Sequence, residues 1–118
     1  PLAGRLLEEL GCRVTRHNCD PDGVFAHEAE PIPAHLVDVA PWVKQTNSAV
    51  GFVLDPDADR LALIDERGEC ISEELTLALA VKYRLRQEVG PVVVNMSTSR
   101  VIQDITTAAG STFLRSAV

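Results

Sequence analysis

Val50-Gly51-Phe52-Val53-Leu54-Asp55-Pro56-Asp57-Ala58-Asp59-Arg60-Leu61-Ala62-Leu63-Ile64 runs from one apolar segment to another through three carboxylates at alternate positions and a guanidinium. The two apolar runs read as strands, Val50 to Leu54 buried by its unbroken character and Leu61 to Ile64 leaving the acidic loop. The loop between them has to curl. On a straight strand the outer carboxylates would stand roughly 13 Å apart, and on a helix the middle one would face away from its neighbours. Pro56 fixes its own φ, removes a donor and steers Asp55 away from helical backbone, while Ala58 keeps the inside of the bend small.

Such a cluster calls for a cation. Three carboxylates and Arg60 sum to minus two, which one divalent ion neutralises, and an all-oxygen donor set selects Mg²⁺ or Ca²⁺ over zinc or copper. A solvated acidic turn with Arg60 in a surface ion pair is the plain alternative.

Beyond the second strand, Glu66-Arg67-Gly68-Glu69 reads as a hairpin turn with Gly68 at the position wanting positive φ. On the amino-terminal side, Leu2, Leu6, Leu7 and Leu10 make an amphipathic helix stopped by Gly11, and Cys12 to Arg16 reads as a short strand. Asn18 to Gly23 is turn chemistry. After a loop from Phe25 to Pro33, Ala34 to Asn47 returns to helical spacing with Pro41 inside it, so the helix either kinks there or restarts with proline in its first turn. Trp42 belongs to that apolar pattern and reads as core.

Towards the carboxyl end, Ser72 caps a helix over Glu73 to Gln87, rich enough in leucine, with Val81 and Tyr83, to be largely covered. Gly90-Pro91 is a break, Val92 to Val94 a strand, and Ser97 or Thr98 the cap of a helix ending near Ala109. A last strand falls near Thr112 to Leu114. The alternation predicts an α/β fold, three-layer α/β/α around a mostly parallel mixed sheet, with the acidic loop at a strand's carboxyl end where such sheets bind ligands.

The bulk properties bound the function. At 118 residues, 46% hydrophobic and 24% charged, the chain has the composition of a globular domain. It holds no apolar run of 18 residues, and neither a transmembrane segment nor a signal peptide is recognisable, so no membrane partner is expected. A net charge of −6 argues against nucleic acid as a partner. Cys12, Cys19 and Cys70 lack metal-ligand spacing and read as reduced thiols of a cytoplasmic protein. A start at Pro1, directly in a helix, suggests a piece of a longer chain.

The run Gly51 to Glu66 resembles the metal-binding loop of the α-D-phosphohexomutases, the phosphoglucomutase and phosphomannomutase superfamily. Leu6-Leu7-Glu8-Glu9-Leu10-Gly11-Cys12 is similar to the first helix and strand of that family's second domain. Asp20-Pro21-Asp22-Gly23 with Phe25, His27, Glu30 and Pro31 resembles its connecting segment, and Asn95-Met96-Ser97-Thr98-Ser99-Arg100 the opening of its third domain. The resemblance implies residues 1–89 as the second domain, lacking its first strand, and 90–118 as the beginning of the third. It implies Mg²⁺ on Asp55, Asp57 and Asp59, completed by a phosphoserine from another domain, with Arg60 steadying the phosphoryl group. The implied partners are a hexose phosphate, glucose or mannose phosphate by the Pro56 and Ala58 variant of the loop, and the remaining domains of the parent chain.

The family's Ser-His-Asn-Pro nucleophile segment and Gly-Glu-x-Ser-Gly sugar-reading loop do not occur in the sequence, so these 118 residues alone are expected to be inactive. Ser97 and Ser99 sit where a helix cap is expected, which is the simpler role for them than nucleophile. His27 reads as an exposed loop residue able to approach a ligand, and His17 and His35 carry no functional assignment. Two other chemistries fit parts of the loop. Asp55, Asp57, Asp59 and Glu66 fall at positions 1, 3, 5 and 12 of an EF-hand loop, although Arg60 stands where glycine is required. In a haloacid-dehalogenase-like phosphatase Asp55 would be nucleophile and Asp57 general acid. A non-catalytic interaction domain leaves the three aspartates unexplained.

Overall fold

The computed structural model describes every residue except Pro1, Pro21, His27 and Val118, so the reading of His27 lies outside the described residues. The chain divides into two compact units between Cys70 and Ile71.

The first unit opens with helix α1 (Leu2–Glu9), closed by Gly11 at φ 85°. Its leucine-rich face is not buried: Leu2, Leu6 and Leu10 are all exposed. Cys12 to Arg16, expected as a strand, forms none. A β-ladder needs a neighbour to supply its hydrogen bonds, and no described strand pairs with this segment. A short 3₁₀ turn (Pro33–His35) precedes helix α2 (Val39–Gln45), which carries Pro41 in its first turn. The chain therefore restarts at the proline rather than kinking, because the first turn asks nothing of the missing N–H.

Strands β1 (Val50–Leu54) and β2 (Leu61–Asp65) pair antiparallel, from Val50 opposite Asp65 to Leu54 opposite Leu61. The short β3 (Cys70–Ile71) completes a sheet ordered β1-β2-β3. Helix α2 covers one face of this sheet: Leu36, Ala40 and Val43 pack with Val53, Ala62 and Ile64, flanked by the half-buried Trp42. Leu36 and Ile64 are 0% exposed, and burying each contributes about 1.5–3 kcal/mol. Strand β1 is buried on that face alone, since Val50 and Phe52 are exposed. The turn after β2 places Gly68 at φ 81°, where a Cβ would meet the Ala40 carbonyl oxygen at 2.7 Å.

In the second unit, α3 (Glu73–Gln87) packs on α4 (Arg100–Ala108), and β4 (Val92–Asn95) pairs parallel with β5 (Phe113–Ser116). Ile102 and Thr106 are fully buried, and the Thr106 hydroxyl is satisfied by donating to the Ile102 carbonyl at 2.7 Å. Helix α3, expected to be largely covered, buries only Ala78 and Leu85; Leu75, Leu77 and Leu79 are exposed, and Tyr83, expected in the core, is 66% exposed.

The described strands thus form two small sheets, one antiparallel and one parallel, rather than a single mostly parallel one. The α/β class stands. The antiparallel sheet follows from the hairpin-like return through the acidic loop, which a six-residue connection permits and a parallel crossover of a dozen residues or more does not.

Candidate functional site

The acidic loop leaves the end of β1 and re-enters the sheet at β2, and the pairing of Leu54 with Leu61 pins its two ends. Within it the amide of Ala58 donates to the Asp55 carbonyl at 3.2 Å, and Ala58 turns at φ 61°. A left-handed alanine is strained, and this one supplies the curl that alternate spacing demands. One carboxylate oxygen each from Asp55, Asp57 and Asp59 then lies within 4.8 Å of the others. All three expected ligands are therefore brought together. Asp55 is 8% exposed, at the protein end of the cluster, whereas Asp57 and Asp59 face solvent.

The cluster shows in its protonation. Burial would raise the Asp55 carboxyl, but bonds from the Arg60 amide and from Asp59, with the Arg60 charge, hold it below the usual carboxylate range. Asp59 moves up, first through a hydrogen bond shared with the Asp55 side chain and then through the negative charges of Asp57 and Asp55. A dication removes that conflict. Three oxygens on one face of an octahedral ion at 2.0–2.1 Å stand roughly 3 Å apart, so the carboxylates, now within 4.8 Å of one another, suit a hard dication on which the loop closes inward.

Arg60 lies beside the cluster. Its Nε is 3.9 Å from Asp55 Oδ2 and its Nη1 donates to Glu30 Oε1 at 3.0 Å. Sequence reasoning found Arg60 and missed Glu30, which lies 30 residues away and was noticed only as part of the connecting segment. No spacing rule connects them; the fold does.

The remaining candidates separate from the site. Asp65, at the opposite end of β2, holds its own turn: Oδ1 accepts from the Glu69 and Arg67 amides at 2.9 and 3.0 Å, and Oδ2 pairs with the Arg67 guanidinium. Glu66 follows it, separated from the triad by the five residues of β2, roughly 17 Å of strand, so it does not complete an EF-hand loop. The elements flanking the triad are strands, where an EF-hand needs helices. Ser99 is the N-cap of α4, its hydroxyl accepting from the Val101 amide at 3.4 Å, two residues past the first expected cap. Ser97 and Thr98 instead donate to Asn95 Oδ1 at 2.9 and 2.8 Å. The Trp42 ring stacks on His17 with centroids 4.5 Å apart.

Comparisons with known proteins point to one family. The family described as "Phosphoglucomutase/phosphomannomutase, alpha/beta/alpha domain II" matches residues 1–68. A "Probable phosphoglucosamine mutase" of Methanopyrus kandleri is 36% identical over 96% of this chain and 25% of its own length. A "Phosphoglucomutase/phosphomannomutase" of Thermococcus kodakarensis is 37% identical, again over 96% and 25%. The crystal structure of a phosphoglucomutase/phosphomannomutase family protein from Burkholderia thailandensis superposes with a TM-score of 0.81 at 30% identity, covering 100% of this chain and 26% of that one. The chain thus spans about a quarter of the length of the curated relatives it matches. With the family match over residues 1–68, which contain the acidic loop and both strands that flank it, the chain belongs to the phosphoglucomutase/phosphomannomutase family.

Proposed function

We propose that the full-length protein containing this chain interconverts hexose 1-phosphate and hexose 6-phosphate, moving the phosphoryl group through a phosphoserine outside residues 1–118 and a sugar bisphosphate. The observation that carries this reading is the convergence of Asp55, Asp57 and Asp59 within 4.8 Å beside Arg60, in a chain of this family. The three aspartates would hold Mg²⁺ by one oxygen each, and the bound ion supplies neutralisation of charge on the transferring group. Asp55 fixes the inner end of the site, because its carboxylate is held by the Arg60 amide. Arg60 binds phosphoryl oxygens through its planar fork of donors and so orients the group for transfer.

The substrate we propose is glucose or mannose phosphate, following the Pro56 and Ala58 form of the loop. Relatives bear both phosphoglucomutase/phosphomannomutase and phosphoglucosamine mutase names, so all three sugar phosphates belong in the assay. We assign residues 1–89 to the metal-binding domain and 90–118 to the start of the next; the family match lies inside the first stretch, and Gly90-Pro91 separates α3 from β4. No helix among the described residues is long and apolar enough to cross a membrane. The cytoplasm is the proposed compartment, in keeping with Cys12, Cys19 and Cys70 as free thiols.

The test is isomerisation of the three sugar 1-phosphates by the full-length enzyme, with Mg²⁺ and with chelator, alongside residues 1–118 alone. Turnover that requires Mg²⁺ in the full-length enzyme and is absent from the shorter polypeptide is expected. Turnover by residues 1–118, or metal-independent turnover by the full chain, overturns the reading.

A further inference from the structure

An arginine that must meet a phosphoryl group has to be aimed before the ligand arrives. Its side chain otherwise samples many rotamers, and that freedom is lost on binding. Arg60 follows a strained loop and is half-exposed, so neighbouring backbone alone does not fix its guanidinium. The contact that does is Glu30 Oε1 on Nη1 at 3.0 Å. Glu30 is itself held. Its carbonyl accepts from the Ile32 amide at 2.9 Å and lies 2.7 Å from His35 Nδ1, and the next residue, Pro31, is buried. The carboxylate is therefore presented from anchored backbone, 30 residues from its partner.

With Nη1 on Glu30 and Nε turned towards Asp55, the Nη2 edge enters no ion pair with a described residue. A guanidinium bonded through Nη1 alone keeps its Nε and Nη2 donors for ligand oxygens. The Glu30–Arg60 pair is exposed on both sides, and such pairs contribute little to folding.

We propose that Glu30 is the positioning residue of Arg60, fixing the guanidinium beside the aspartate cluster for binding a phosphoryl group; this rests on the reading of Arg60 given above. The test uses the full-length enzyme with Mg²⁺. Glu30→Gln keeps the size and removes the charge, and is expected to lower kcat/KM about tenfold, in line with the cost of a misplaced binding group. Melting temperature and Mg²⁺ affinity should be unchanged, and Glu30→Asp should recover part of the loss. In an Arg60→Ala background Glu30→Gln should cost less than twofold more, since its only route is through Arg60. An unchanged kcat/KM for Glu30→Gln, or the same tenfold loss without Arg60, overturns the proposal. If the unaltered enzyme converts none of the sugar phosphates, the functional reading falls by itself. Binding of inorganic phosphate by calorimetry then decides: Glu30→Gln and Arg60→Ala must weaken it, and the pair together no more than Arg60→Ala alone, or the proposal falls too.

Discussion

Oδ1 of Asp55 accepts the amide of Arg60 at 3.2 Å, so the first and last residues of the acidic loop close on each other. The reciprocal contact, the Asp55 amide to the Arg60 carbonyl, is longer at 3.5 Å. One residue thus serves both loop closure and the proposed ion, while Asp57 and Asp59 are spared the first task.

That division of labour separates the aspartates by mutation. Asp57→Asn should weaken Mg²⁺ binding by no less than the roughly 10–100-fold that loss of an outer-sphere partner brings. The metal-free protein should melt at the same temperature or higher, since the Asp57 charge that pushes up Asp59 is gone. Calorimetric Mg²⁺ titration and melting in chelator check both; a lower metal-free melting temperature with unchanged Mg²⁺ affinity would count against the assignment.

The Asp65 turn sets an acid limit. Amide donation from Glu69, aided by Arg67, holds its carboxyl below the usual range despite the opposing effect of burial. The unfolded chain therefore binds the proton at higher pH than the folded one. The stabilisation is complete above the unfolded pKa and disappears as pH falls through the lower folded value. Asp65→Ala should consequently destabilise at neutral pH, and its difference from the unaltered protein should shrink in denaturant melts below about pH 4.

Gly68→Ala tests the packing of the same turn on α2. The new Cβ meets main-chain oxygen of Ala40 at a site with φ 81°, and neither the backbone nor the contact relaxes cheaply. A loss of about 1–3 kcal/mol is expected in urea unfolding, from left-handed strain alone. A neutral or stabilising result would show that the turn moves off the helix.

Limited proteolysis distinguishes the two boundaries. Cleavage concentrated around Val89 to Pro91 is the outcome expected of a domain ending at Val89. First cleavage between Cys70 and Ser72 would instead move the boundary to the division between compact units.

The acidic loop was legible because its geometry left one option: alternate carboxylates converge only on a curled chain, and proline and alanine told where it bends. The turn at Gly68 was legible for the same reason, since it depends on one residue's backbone, whereas Pro41 left kink and restart both open until the start of α2 was seen. Cys12 to Arg16 and α3 were misread because pattern reports what a segment offers to a neighbour without supplying the neighbour. Leu75 and Leu79 have the spacing of a covered helix and lie exposed, and the alternating segment at Cys12 pairs with no described strand. The α4 cap shifted to Ser99 because Asn95 engages both Ser97 and Thr98. Glu30 was out of reach, since a contact across 30 residues exists only once the chain has folded.

The sequence contains one tryptophan and one tyrosine, and the split between Cys70 and Ile71 places Trp42 in one compact unit and Tyr83 in the other. Each half therefore carries a private optical label. Indole emission from the half-buried Trp42, excited apart from tyrosine, will follow the first unit through a melt with no dye attached.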